Sequence, residues 1–256
     1  MSAAYGIIVR DLSRAFRQRG RLIAGLVRPF MWLLLVGSGY NSIARVEGVS
    51  SYHVFIYPGL IVMAALFGAM LTAISTVYDR EFGMLRLMLA SPAGVPAILA
   101  GRMIAATAVG IVQGGVLLVC IPLVTSITGA QLIAALGALV LGAAASSVLG
   151  LVIAARLESV ENFAGVINIV LFPLLFLSGA LYPTAGMPAG LRTIARLNPV
   201  SYEVDLMRAS LGQPSEFGPA QSIVVLGALT LLLFLLTILL FDPEQRFMAR
   251  SRRARG

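Results

Sequence analysis

Charge is scarce in this sequence. Of its 256 residues, 12% are charged and 59% are hydrophobic, and the mean hydropathy is +0.93. Soluble domains carry about 25% charged residues. Half that, with several apolar runs near the length needed to cross a bilayer, excludes a soluble globular class. The polar segments are all short, so the whole chain, 1–256, reads as one membrane domain. There is one cysteine, Cys120, inside an apolar run, which excludes an intrachain disulfide. With one histidine, His53, no His/Cys metal site is available. Lysine is absent; all 19 basic residues are arginine. No P-loop, H-E-x-x-H or G-x-S-x-G is present, so the sequence offers no enzyme site. Acidic residues at mid-span are also missing. Proton- or sodium-coupled carriers usually need such groups, so a transport function would take its energy from another chain.

The net charge of +8 is concentrated at the two ends. Arg10, Arg14, Arg17, Arg19 and Arg21 sit at the start, and Arg246, Arg250, Arg252, Arg253 and Arg255 at the end. Flanking apolar spans, these clusters read as positive-inside signals rather than a nucleic-acid surface. Within 3–20, Tyr5, Ile8, Val9, Leu12 and Phe16 follow helical spacing while the arginines take other faces. That is a basic amphipathic helix suited to the headgroup plane of an anionic leaflet. The apolar run that follows is longer than a signal h-region and has no A-x-A site after it, so it reads as a retained span.

Six spans are expected, at about 23–43, 56–78, 98–125, 132–155, 163–182 and 221–241. Arg28 and Pro29 fall in the first turns of the first, where Arg28 can snorkel to the interface and Pro29 is tolerated. One side of the second is small (Gly59, Ala64, Ala65, Gly68, Ala69, Ala73). Gly110 with Gly114, and Gly142, Ser146 and Gly150, give four-residue spacings for close helix packing. Gln113 is a polar group at lipid depth that suits a bond to a neighbouring helix. Basic clusters at both ends put both termini on the cytoplasmic side, consistent with an even span count. The fold class is therefore all-α integral membrane, with an N-terminal amphipathic interfacial helix.

Two segments do not fit simple spans. Residues 78–102, YDREFGMLRLMLASPAGVPAILAGR, place Asp79, Arg80, Glu81 and Arg86 between two apolar runs. The segment 79–97 reads as a short helix lying on the cytoplasmic face and offering a docking surface. Residues 183–219 carry five prolines, with three arginines (Arg192, Arg196, Arg208) matched by Glu203, Asp205 and Glu216. Helical apolar spacing on both sides of Asn198-Pro199 predicts two short helices that re-enter or cap the outer half of the membrane. Asp205 and Arg208, three apart, are placed to pair with each other.

These two segments carry a resemblance. The first resembles the loop between spans two and three of type-2 ABC exporter permeases: acidic-rich residues, Gly-Thr-Leu, then an apolar run ending in Ser/Thr-Pro. Here Met84 stands where the family has Thr. The second, FPLLFLSGALYPTAGMPAGLRTIARLNPVSYEVDLMR, is similar to the region after span five. It matches at Ser178, Gly179, Pro183, Pro188, Leu191, Arg192, Asn198, Pro199, Tyr202, Asp205 and Arg208. The order of elements resembles that of the family along the whole chain, and the nodulation-factor and daunorubicin-resistance permeases are similar.

The resemblance implies the membrane half of an ABC exporter. It would work as a homodimer or paired with a similar permease, in a bacterial inner membrane, among lipids and without nucleic acid. This chain would bind no cofactor; ATP and Mg would belong to a separate P-loop ATPase subunit. Coupling to that subunit would fall on Arg80, Glu81, Phe82, Gly83, Leu85, Leu89, Ser91 and Pro92. Glu81 would be the polar anchor and Phe82, Leu85 and Leu89 the apolar contacts; alternatively, Glu81 pairs locally with Arg80 or Arg86. The outer gate or substrate path would involve Phe172, Pro173, Ser178, Gly179, Asn198, Pro199, Tyr202, Asp205 and Arg208, with Phe176 and Tyr182 beside them. The cargo would be amphipathic: drug-like, lipid or lipid-linked glycan. The alternative is a membrane assembly or scaffold protein without cargo.

Overall fold

The structure, a computed structural model, describes the backbone of residues 3–41, 50–89 and 94–253, and side chains in 4–40, 50–89 and 94–241. Ser91, Pro92 and the side chains of the arginine tail lie outside the described residues. Among those described there is no strand.

The chain begins with α1 (Ala3–Arg17) and α2 (Arg19–Met31), separated only at Gln18. A π-helical stretch, Trp32–Gly37, carries α2 into the short α3 (Ser38–Asn41). Then come α4 (Tyr52–Glu81), the six-residue α5 (Met84–Leu89) and α6 (Val95–Val119). They are followed by α7 (Gly129–Arg156), α8 (Val160–Phe176), α9 (Ala189–Leu197), α10 (Pro199–Ser210) and α11 (Pro219–Arg253). Among the described residues, five helical stretches are long and apolar enough to cross a membrane: Arg19–Tyr40, Tyr52–Glu81, Val95–Leu123, Gly129–Arg156 and Pro219–Phe241. The sixth apolar helix, α8, has 17 residues, about 26 Å at 1.5 Å per residue.

The fifth expected span, 163–182, is thus cut short. After Phe176 the hydroxyl of Ser178 donates to the Leu175 carbonyl, and Gly179 takes a left-handed φ of 78°, which turns the chain back. Pro29 is not near a helix start, because α2 begins at Arg19; it lies inside the helix, one turn before the π stretch. Arg28 does not snorkel to the helix end either. Its guanidinium lies 4.1 Å from the Phe67 ring centroid of α4, a cation–π contact.

The core is built around α4. It is apolar on all sides, and 89% of its most hydrophobic window is buried, against 17% for Arg19–Tyr40 and 11% for Pro219–Phe241. A helix with apolar residues all round belongs in the middle of a bundle; the two least covered helices leave their apolar flanks exposed at its outside. The small side of α4 is where α6 and α7 approach. A Cβ added at Gly110 would lie 2.9 Å from the Ala65 carbonyl, and one at Gly114 would lie 2.5 Å from a Leu139 methyl. Gly150 meets Ala73 and Met70 in the same way. Without a hydrophobic drive between helices in lipid, such close backbone approach is what dispersion forces can use. Gln113 bonds across helices, its Nε2 donating to the Leu22 carbonyl at 3.4 Å.

The most ionic part of the core ties α1 to the bundle. Asp79, 5% exposed near the end of α4, accepts at one carboxylate oxygen from both Arg10 and Arg102, each at 2.6 Å. Arg14 approaches the other oxygen at 3.4 Å. Arg10 also pairs with the buried Asp11 at 2.8 Å, and Arg102 donates to the Thr76 hydroxyl at 3.0 Å. Burial works against the charge on Arg10, but the carboxylates of Asp11 and Asp79 outweigh it and raise its pKa. Helix α1 thus docks through its charged edge, with Ile7 and Asp11 buried and Gly101 of α6 beneath Ala4 and Ile7. Its apolar stripe, Tyr5, Val9 and Phe16, remains exposed, as a helix lying in a lipid interface requires.

Removing one member of a buried pair is far more damaging than losing an exposed one. Asp79→Ala is therefore expected to destabilise the chain by about 3–5 kcal/mol, seen as a lowered unfolding temperature in detergent. Arg14→Gln, at the exposed edge, should cost no more than about 1 kcal/mol.

Candidate functional site

The two unusual segments occupy opposite ends of the bundle. At one end, α4 stops at Glu81, Gly83 adopts φ 74°, and α5 runs across the bundle before α6 begins. The positive φ favours glycine because an L side chain there clashes with its own carbonyl. Leu85 and Leu89, expected to face a partner, are buried at 2% and 3% exposure in a cluster with Ile7, Ile98, Leu99 and Phe241. In this arrangement they seat α5 against the bundle rather than face outward. The outward apolar surface consists of Phe82, Met84 and Leu87, with Phe82 75% and Leu87 68% exposed.

Arg80 also points inward. Its Nη1 donates to the Ala154 and Leu157 carbonyls at 2.7 and 2.8 Å, satisfying the C-terminal end of α7. Glu81 accepts from the backbone N–H of Val160 at 3.1 Å, at the N-terminus of α8. Among the described residues it forms no ion pair with Arg80 or Arg86. A carboxylate at a helix N-terminus complements the free N–H groups there. The short 78–89 region is thereby tied to α1, α6, α7 and α8.

At the other end, α9 and α10 meet at Asn198-Pro199. Asn198 caps α10 by accepting from the Val200 N–H at 3.0 Å, and its amide donates to the Leu174 carbonyl of α8 at 2.6 Å. Pro199 occupies the first turn of α10, where no N–H is needed. The Tyr202 hydroxyl donates to the Arg196 carbonyl at 2.8 Å, and its ring lies 4.6 Å from that of Phe217.

Asp205 and Arg208 form no ion pair, contrary to the expectation from their spacing. Asp205 accepts from the N–H groups of Glu216 and Phe217 and from the Ser222 hydroxyl. Arg208 donates to the Gly179 carbonyl at 2.6 Å and lies over the Phe55 ring at 4.1 Å. Ser178, Gly179, Asn198, Pro199, Tyr202 and Asp205 are thus fastenings of the fold-back. The rings of Phe172 and Phe176 lie tilted to each other at 6.4 Å, and Phe176 meets Trp32 edge-on at 5.9 Å. Pro173 is exposed on the same helix.

Glu203 was not singled out from the sequence. It is 3% exposed and reaches the middle of α7, where the Ser146 hydroxyl donates to its carboxylate at 3.0 Å beside Gly142. An acidic group therefore does lie at depth, supplied by a non-spanning helix. Asp11, Asp79 and Arg102 were also passed over as a group. The available signal was an ionisable residue in or beside an apolar span, which demands a partner.

A core of long apolar helices, an interfacial helix at one end and a folded-back helix pair at the other define a multi-pass all-α membrane protein. Comparison with known proteins identifies its kind: the ABC-2 type transporter family model matches residues 3–211, and the chain belongs to that family. It is 31% identical over 198 residues to nodulation protein J of Rhizobium leguminosarum bv. trifolii, covering 75% of each chain. It is 28% identical over 215 residues to the transport permease ycf38 of Pyropia yezoensis, covering 78% of this chain and 70% of that one. Nodulation protein J of Bradyrhizobium diazoefficiens is 24% identical over 227 residues, covering 86% and 85%. The chain is a membrane transport subunit, non-catalytic itself, of a family whose members pair with an ATP-binding subunit.

Gly179 marks the point where the fold-back is most sensitive. A Cβ there would lie 3.0 Å from the Thr184 methyl and 3.7 Å from Arg208 Nη1, at a φ of 78°. Gly179→Ala should cost about 1–2 kcal/mol from backbone strain alone. Gly186→Ala, where a Cβ meets open space, should stay within about 0.5 kcal/mol. Thermal unfolding of the two variants in detergent compares them directly.

Proposed function

We propose that this chain is the permease of an ABC exporter that moves an amphipathic substrate (drug-like, lipid or lipid-linked glycan) outward across a bacterial cytoplasmic membrane. The end bearing α1 and α5 faces the cytoplasm, and the end bearing α9 and α10 faces outward. A separate P-loop ATPase, holding ATP and Mg, docks on α5, and two permease chains, identical or similar, make the complex.

One observation carries this reading: an exposed apolar patch on a short helix that is itself firmly seated. Phe82, Met84 and Leu87 are exposed, while Leu85 and Leu89 anchor the same helix beneath them. Beside it, Asp79 links α4 with α1 and α6. A force applied to α5 by a closing ATPase dimer would pass into α4, the central helix, rather than dissipate in a loose loop. Glu81 and Arg80 serve this by holding the ends of α7 and α8 to the same corner.

The test is retention of the partner. Tagged full-length chain purified from membranes in mild detergent should bring down a P-loop ATPase at near-equal amount. Leu87→Glu should reduce that retention at least about tenfold with an unchanged unfolding temperature, since the residue touches solvent. A chain that comes down alone, under conditions that hold another ABC exporter together, would sink the docking assignment. Orientation has its own readout. In a Cys120→Ala background, Ser215→Cys should react with an impermeant thiol reagent in intact cells, and Arg86→Cys only after lysis.

A further inference from the structure

The three arginines of the outer segment are matched in number by three acids, but among the described residues none of those acids forms an ion pair with them. Asp205 and Glu216 act on Arg208 only through space, and its burial outweighs them. Glu203 is withdrawn into the bundle against Ser146. Asp205 is occupied by two backbone N–H groups and the Ser222 hydroxyl. Glu216 accepts from the Thr184 hydroxyl. Among the described residues, no carboxylate comes within 4.0 Å of Arg192, Arg196 or Arg208. All three arginines line one cavity of about 870 Å³, whose only acidic lining residue is Glu216.

The donors of these arginines are only partly used. Arg192 gives Nη2 to the Ala185 and Met187 carbonyls, and its Nε is buried with no acceptor. Arg208 gives Nη2 to Gly179, and its Nε is likewise buried without a partner. Arg196 stands exposed at the cavity wall. Buried guanidinium N–H groups without acceptors are costly, and arginine on the outer side runs against the charge bias of membrane proteins. Both costs are offset if an anion enters. The rest of the wall includes Phe55, Tyr182 and Leu191, which suits an apolar body attached to that anion. The volume falls within the range of about 300–1,000 Å³ typical of small-ligand sites.

We propose that this cavity binds an oxyanion head group, a phosphate or sulfate ester, carried by an amphiphile. Arg192, Arg196 and Arg208 form the anion-holding side, and Phe55, Tyr182 and Leu191 receive the apolar portion. Guanidinium forks match the oxygens of phosphate and sulfate, so the pairing chemistry is specific to arginine. The site deepens the exporter reading and rests on it for its place on the outer face. There it would receive the head group of a departing substrate or of an outer-leaflet anionic lipid.

The experiment uses the full-length chain alone in an uncharged detergent, titrated with short-chain phosphatidylglycerol and short-chain phosphatidylcholine by calorimetry. Phosphatidylglycerol should bind at least about tenfold more tightly than phosphatidylcholine. The double variant Arg192→Gln/Arg196→Gln should lose that preference, and Arg196→Gln alone, at an exposed side chain, should weaken it at the wild-type unfolding temperature. Competition by inorganic phosphate or sulfate would support the site and point to the head group alone as the recognised part. Preference for phosphatidylglycerol without such competition would support it and point to a lipid-like amphiphile. Equal binding of the two lipids by the wild type, or an unchanged preference in the double variant, would overturn the proposal. No ATPase takes part, so this result stands apart from the outcome of the partner-retention test.

Discussion

A single buried carboxylate organises the end of this protein where motion would enter. Asp79 sits at the last turn of the central helix and draws in Arg102 from α6 and Arg10 and Arg14 from α1. In a region of low dielectric such charges cannot be left alone, so three separate elements are held to one point. The N-terminal helix therefore packs by its charged edge and leaves its apolar stripe exposed. The six-residue α5 would be unstable as an isolated helix, yet here it is clamped between that helix and the start of α6.

The opposite end follows a different rule. Backbone that does not span the membrane must have its polar groups met by the protein. Asn198, Tyr202, Ser178 and Asp205 do this by bonding to main-chain groups of α8, α9 and the segment before α11. These residues, which the sequence suggests for an outer gate, are, in space, bonded to main-chain groups within the fold-back. With those bonds made, the arginines along one side of the cavity keep guanidinium groups without a carboxylate within 4.0 Å among the described residues. The two ends are joined by α4, whose small residues let α6 and α7 lie close along its length. The same helix carries Asp79 in its last turn on one side and begins beside Gln213 and Leu181 on the other.

Helices, their approximate order and the break at Asn198-Pro199 were legible in the sequence, because hydropathy, small-residue spacing and proline act locally. The fifth apolar run shows the limit of that reading. Its hydropathy continues past Phe176, but Gly179 and the pull of Asn198 on Leu174 end the helix sooner. The coupling segment shows another. Leu85 and Leu89 are as apolar as Leu87 and Met84, and only packing against Ile98 and Phe241 decides which pair is outside.

The sequence by itself determined that this chain lives in a membrane, since its charge is too sparse and its apolar runs too long for water. It also determined that one short polar segment and one proline-rich segment stand apart from the spans. Tertiary structure alone decided the pairing of charges. Asp205 and Arg208 are three residues apart, a spacing that helix geometry allows to pair, yet each bonds to groups elsewhere in the chain. Asp79 gathers arginines from 69 and 23 positions away. Charge pairing in a low-dielectric interior is set by which groups are brought within a few ångströms, and the folded backbone, not the order of residues, sets that distance.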